Sequence, residues 1–113
     1  MEYDSLSCDM KMPETLTIPI TERNQFDGID RPLRPGDVVQ VIRCERDVKL
    51  EPYRIYWVYR VHEDAVVGML FARAVIHQDR IMFALHGGTI ISPAEAVVAG
   101  TLSSSDHQRS LKR

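Results

Sequence analysis

The residues with the broadest chemical reach in this chain are its four histidines and two cysteines. His62, His77 and His86 each fall near the end of an apolar run, with Glu63 and Asp64 directly after the first. A structural zinc site needs ligands at short fixed intervals, such as C-x-x-C or H-x-x-x-H, so that one element presents two of them to the same ion. No such pair occurs, and no metal or other cofactor is expected. Cys8 and Cys44 are 36 positions apart in a chain without a recognisable export signal, which suits free thiols in a reducing cytoplasm. His86-Gly87-Gly88 is similar to the glycine-rich oxyanion strand of some esterases, but that device works beside a G-x-S-x-G elbow, and the chain has none. Phosphate-cradling glycine loops are likewise missing. A nucleic-acid face is the last chemistry the residue types suggest. Arg54, Tyr56 and Arg60 interleave basic and aromatic groups, and Arg73 and Arg80 extend the set.

The elements that would position these residues are strands. In Arg54 to His62 the odd positions Ile55, Trp57, Tyr59 and Val61 form one apolar face. The even positions mix Arg54, Arg60 and His62 with Tyr56 and Val58, which predicts a face only partly wet. Val38–Arg43 and Arg80–Leu85 read as strands of the same kind, Leu16–Ile20 as a first and Val97–Leu102 as a last. Ala65 to His77 reads as one bent strand, because an isolated glycine, Gly68, interrupts it. Pro35-Gly36-Asp37, Glu63-Asp64, Gln78-Asp79 and Gly87-Gly88 punctuate these runs as turns. Ser92 before Pro93-Ala94-Glu95 offers an N-cap for a single helical turn. The expected fold class is mainly β: a compact antiparallel sheet or partly open barrel of about six to seven strands.

With 113 residues, 44% of them apolar and 27% charged, the chain has room for one domain and one core. That excludes a two-domain enzyme and a long repeat array. No apolar run nears the roughly 18 residues of a membrane span, so no membrane partner is expected. A formal charge of −2 supplies no global field for nucleic acid or anionic lipid. Residues 1–15 are expected to be a flexible polar segment, 16–102 the β domain and 103–113 a flexible basic tail.

The most specific stretch is Phe26-Asp27-Gly28-Ile29-Asp30-Arg31-Pro32-Leu33-Arg34-Pro35-Gly36-Asp37-Val38-Val39-Gln40-Val41. It resembles the entry to the C-terminal, signal-peptidase-like domain of LexA-like autoproteolytic repressors and their mutagenesis-protein relatives. Tyr56-Trp57-Val58-Tyr59, Asp64–Leu70, Arg80–Leu85 and Val98–Leu102 then follow in the family's order. The resemblance implies a serine nucleophile activated by a neutral lysine. Its serine position falls at Gly28, or at Asp27 with a loop one residue longer, and its lysine position near Gly68. The chain has no serine between Ser7 and Ser92, and its lysines are Lys11, Lys49 and Lys112. Asp9–Leu16 echoes the serine motif too far upstream, and Ala99-Gly100 echoes the family's self-cleavage bond at the wrong end of the domain.

The reading that follows is a pseudo-protease that works by association, as a homodimer or in a complex with a regulatory protein. A transcriptional regulator is the expected partner, and a phage or mobile-element setting suits so small a chain. In the family the closing strand tends to lie at the dimer contact, which implies Val97, Val98 and Leu102. A small β-barrel binding nucleic acid through Arg54, Tyr56, Arg60, Arg73 and Arg80 is the alternative, and a diverged hydrolase using Ser92 or an N-terminal serine the second.

Overall fold

A computed structural model describes residues 14–45 and 47–103. Seven strands are formed: β1 (Thr15–Pro19), β2 (Val38–Arg43), β3 (Ile55–His62), β4 (Ala65–His77), β5 (Arg80–Ala84), β6 (Ile90–Ile91) and β7 (Ala96–Leu102). They make one antiparallel sheet in the order β1-β2-β7-β3-β4-β5-β6. The closing strand β7 inserts between β2 and β3, so the last element completes the middle of the sheet.

Local chemistry explains the connections. Glu63-Asp64 and Gln78-Asp79 are two-residue turns with positive φ at all four positions, between 53° and 66°. That mirror-image geometry matches the twist of the strands it joins. Ser92 caps the 3₁₀ turn Pro93–Glu95: its hydroxyl accepts from the Ala94 N–H at 3.1 Å while Glu95 accepts from the Ser92 N–H at 3.2 Å. At Pro35-Gly36-Asp37, Gly36 takes φ 102°, and the Asp37 carboxylate accepts the Arg34 N–H at 2.9 Å. The bend read at Gly68 is a bulge, since Arg60 pairs with Gly68 but Val61 pairs with Val66. An extra residue in one strand sharpens its twist.

Both faces of β3 are packed. On the first face Ile55 and Trp57 join Val39, Val41, Phe71 and Leu102. The segment between β1 and β2 folds over them and contributes Ile20, Phe26, Ile29 and Leu33. Phe26 and Leu33 exchange backbone hydrogen bonds of 3.0 and 2.8 Å, which hold this cover in shape. On the second face Tyr56 and Val58 join Ala72, Ala74, Phe83, Leu85 and Ile91, with Leu50 packed alongside. The second face is partly wet, as the pattern predicts, with Tyr56 and Val58 buried and Arg54 and His62 exposed at its ends. Strand alternation shows which side a residue faces, and here the Leu50 segment and β5–β6 cover the second side as well.

The sheet begins one residue before the expected boundary, and its last strand ends at Leu102 as expected. Thr15 pairs with Ile42, and Ser103 is buried, its N–H bonded to the Gln40 carbonyl at 2.9 Å. The remainder of the expected flexible ends, 1–13 and 104–113, lies outside the described residues. Among the described residues no helix is long and apolar enough to cross a membrane.

Candidate functional site: an exposed apolar band beside an open strand edge

Among the described residues, exposed apolar side chains concentrate on the half of the β3–β4 hairpin nearest its turn. Val97, Tyr59 and Met69 are direct neighbours across β7, β3 and β4. Val97 and Met69 are 44% and 46% exposed. Val66 and Val67, at the bulge, reach 61% and 59%, values that belong to a surface rather than a core edge. Tyr59 and Val61 are half-buried and complete the band.

A groove of about 580 Å³ adjoins it, walled by Ile18, Trp57 and Met69, with Arg23 on the loop side. That lining brings the end of β1 against the middle of β4, although β2, β7 and β3 lie between them in the sheet, so the sheet curls strongly. Asn24 fixes the loop: its side-chain oxygen accepts the Thr21 N–H at 2.7 Å and its amide donates to the Pro19 carbonyl at 3.1 Å. A second groove, about 230 Å³, lies at the Leu70 end and is lined by Glu22, Arg23, Arg60 and His86.

The five residues of the nucleic-acid alternative are not brought together. Register places Arg54, Tyr56 and Arg60 on the second face, and Arg73 and Arg80 on the first. Tyr56 is 1% exposed and cannot stack a base; its hydroxyl accepts the Glu51 N–H at 2.9 Å, and burial pushes the phenol pKa up. Arg54 pairs with Glu51 at 3.0 Å. Arg73 donates to the Gly28 carbonyl at 3.1 Å, and its guanidinium lies 5.5 Å from the centre of the Tyr53 ring. Its Nε is buried with no hydrogen-bond partner among the described residues. Arg73 is thus a strut under the cover, not a free cation.

The interface residues read from the closing strand divide as well. Leu102 is a core residue at 3% exposure, because its partner Val41 faces the first cluster. Val98 packs against the second cluster, and only Val97 is presented outward. Sequence reasoning missed Met69, Val66 and Val67. The run Ala65–Ala72 has no charged residue, which marks a buried strand as readily as an exposed one.

The positions assigned by family resemblance are also separate. Gly28 lies beside Arg73, and Gly68 is five residues back along β4, about 16 Å by strand rise. A Cβ at Gly28 would overlap the Phe26 ring, whose Cε2 would lie 2.9 Å away. Glycine is what lets that ring close the cover. Ser92, the residue of the hydrolase alternative, is the cap of the Pro93–Glu95 turn, and the N-terminal serines lie outside the described residues.

His86 and Asp27 form a titratable pair across the fold, Nδ1 to Oδ1 3.3 Å. The Gly87 N–H donates to the same carboxylate oxygen at 3.0 Å and holds Asp27 below the usual carboxylate range against the opposing effect of burial, with a lesser lowering from His86. The pair ties the cover to the His86–Gly88 turn. Among the described residues no group of three or more His, Cys, Asp or Glu side chains is placed to hold a metal ion. Cys44 is partly buried, which pushes its thiol pKa up and leaves it a poor nucleophile. Comparison with family models, curated proteins and solved structures finds no match to this chain.

Proposed function

We propose that this chain is a non-catalytic domain that acts by binding another protein, with a transcriptional regulator as the partner class its LexA-like segment implies. The observation that carries the association reading is the apolar band across three strands, with Val97, Met69, Val66 and Val67 exposed around the half-buried Tyr59. Exposed apolar surface of this continuity stays in a soluble domain at a cost in solubility, and covering it with a partner recovers the burial energy. The regulator and the pseudo-protease ancestry rest on the sequence segment Phe26–Val41 and on strand order.

The test is affinity capture from the native cell at physiological salt, wild type beside Val97→Glu. Recovery of a full-length regulator or polymerase component by the wild type, lost in the variant, supports the reading. Capture of nuclease-sensitive complexes alone overturns it, since phosphate contacts would then dominate.

A further inference from the structure

We propose that the two grooves beside β4 receive one flexible segment of a partner protein, its apolar residues in the larger groove and an acidic side chain in the smaller. This rests on the association reading above and gives the chemistry of the segment that reading requires. The grooves meet, because Arg23 and Leu70 line both. The larger is walled by Ile18, Trp57 and Met69, and Arg23 is the one charged residue of its lining among the described residues. The smaller gathers Arg23, Arg60 and His86 around a single acid, Glu22. Trp57 and Met69 belong to the first face and Arg60 to the second, so an occupant of both bends around the β4 edge at Leu70. A flexible segment follows such a bend more readily than the flat face of a folded domain.

Arg60 selects the charge of the occupant. Arg60 and Arg73 are the half-buried arginines among the described residues. Arg73 has its partners, the Gly28 carbonyl and the Tyr53 ring. Among the described residues neither Arg60 nor Arg23 enters an ion pair. A guanidinium drawn partly out of water loses hydration, which the two oxygens of a carboxylate replace through a bidentate contact. His86 adds a directed group, since Asp27 holds its Nδ1 at 3.3 Å and leaves Nε2 for an incoming ligand. Glu22, exposed on the same rim, offsets one of the cations. The remaining charge therefore suits the single charge of a carboxylate better than the near-double charge of a phosphoryl group.

Selection from a phage-displayed library of random decapeptides, against the whole chain at physiological salt, tests this. The enriched peptides are expected to share a Glu or Asp beside apolar residues. A synthetic peptide of that consensus is expected to lose at least about tenfold in affinity, by fluorescence anisotropy, when its acid becomes an amide. Arg23→Glu, at an exposed loop position, and Arg60→Gln are expected to weaken the same peptide by a similar factor while melting like wild type. A Lys in place of the peptide's acid is expected to restore its binding to Arg23→Glu. Met69→Glu, at a 46% exposed position, is expected to weaken the peptide through the larger groove. A library without enrichment, a consensus without an acid, or an affinity indifferent to both arginines or to Met69 would each overturn the proposal. Native capture of a regulator with no peptide enriched would remove the segment and leave the association reading in place. An acidic consensus without capture of a regulator would keep the segment and remove the regulator.

Discussion

Between Phe71 and Val75, β4 lies inside the molecule: Phe71 sits under the cover on the first face, and Ala72 and Ala74 join the second cluster. Between Ala65 and Leu70 the same strand, of similar composition, stands largely in solvent. The two stretches differ in what lies opposite them. β5 pairs with β4 only as far as Arg73, so apolar side chains are core around that point and surface toward the turn. Stability and recognition are therefore expected to separate along one strand.

The sharpest test removes the buried half's anchor. Phe71 is 1% exposed and packs on Trp57 with ring centroids 4.7 Å apart. Phe71→Ala is expected to cost about 3–5 kcal/mol, read by urea or thermal unfolding, because the cavity cannot collapse against a fixed sheet. Met69→Ala, two residues away, is expected to stay within about 0.5 kcal/mol. Equal losses at the two positions would break the comparison.

The two strand glycines make the next test. Gly100→Ala places a methyl against Val41 and the Ile42 carbonyl, backbone that cannot easily give, and is expected to destabilise by about 1–3 kcal/mol. Gly68→Ala meets open space at an ordinary φ and is expected to stabilise the monomer by about 0.5 kcal/mol through the unfolded chain's lost freedom. Paired melting measurements show whether the two signs are opposite.

Much of this was legible before any coordinates. Two polar residues between alternating runs gave both hairpins, and Gly68 inside a long apolar run gave the bend of β4. What pattern cannot report is coverage. Tyr56 reads as a member of the basic and aromatic set, yet the Leu50 segment and β5–β6 close over it and Val58. The same limit misplaced the association surface: Leu102 and Met69 are both apolar strand residues, and only pairing of β7 between β2 and β3 puts one inside and one outside. The basic set failed for a related reason, since the two faces of Arg54 and Arg73 follow from the β3–β4 register, which depends on a bulge.

Smaller effects test the fastening of the covered region. Tyr56→Phe deletes the acceptor of the Glu51 N–H, and because water can replace it at this edge the expected loss is about 0.5–1 kcal/mol. Burial raises the folded phenol's pKa, so the folded state holds its proton more tightly than the unfolded state. That contribution is full below about pH 10 and is lost as pH rises through the folded value. Wild type is therefore expected to lose stability more steeply than Tyr56→Phe above about pH 10.

Asp27 is expected to give the smallest effect, at the opposite end of the pH scale. Its folded pKa is lowered, first by the Gly87 N–H and then by His86, so the folded state favours the carboxylate. The stabilisation is present above the unfolded value of about 3.9 and disappears as pH falls through the folded one. Both side chains of the Asp27–His86 pair are about half exposed, at 50% and 47%, and screening keeps the contribution under about 1 kcal/mol. Thermal melts between about pH 5 and about pH 2 should show wild type losing stability faster than Asp27→Asn, with the gap closing at the acid end.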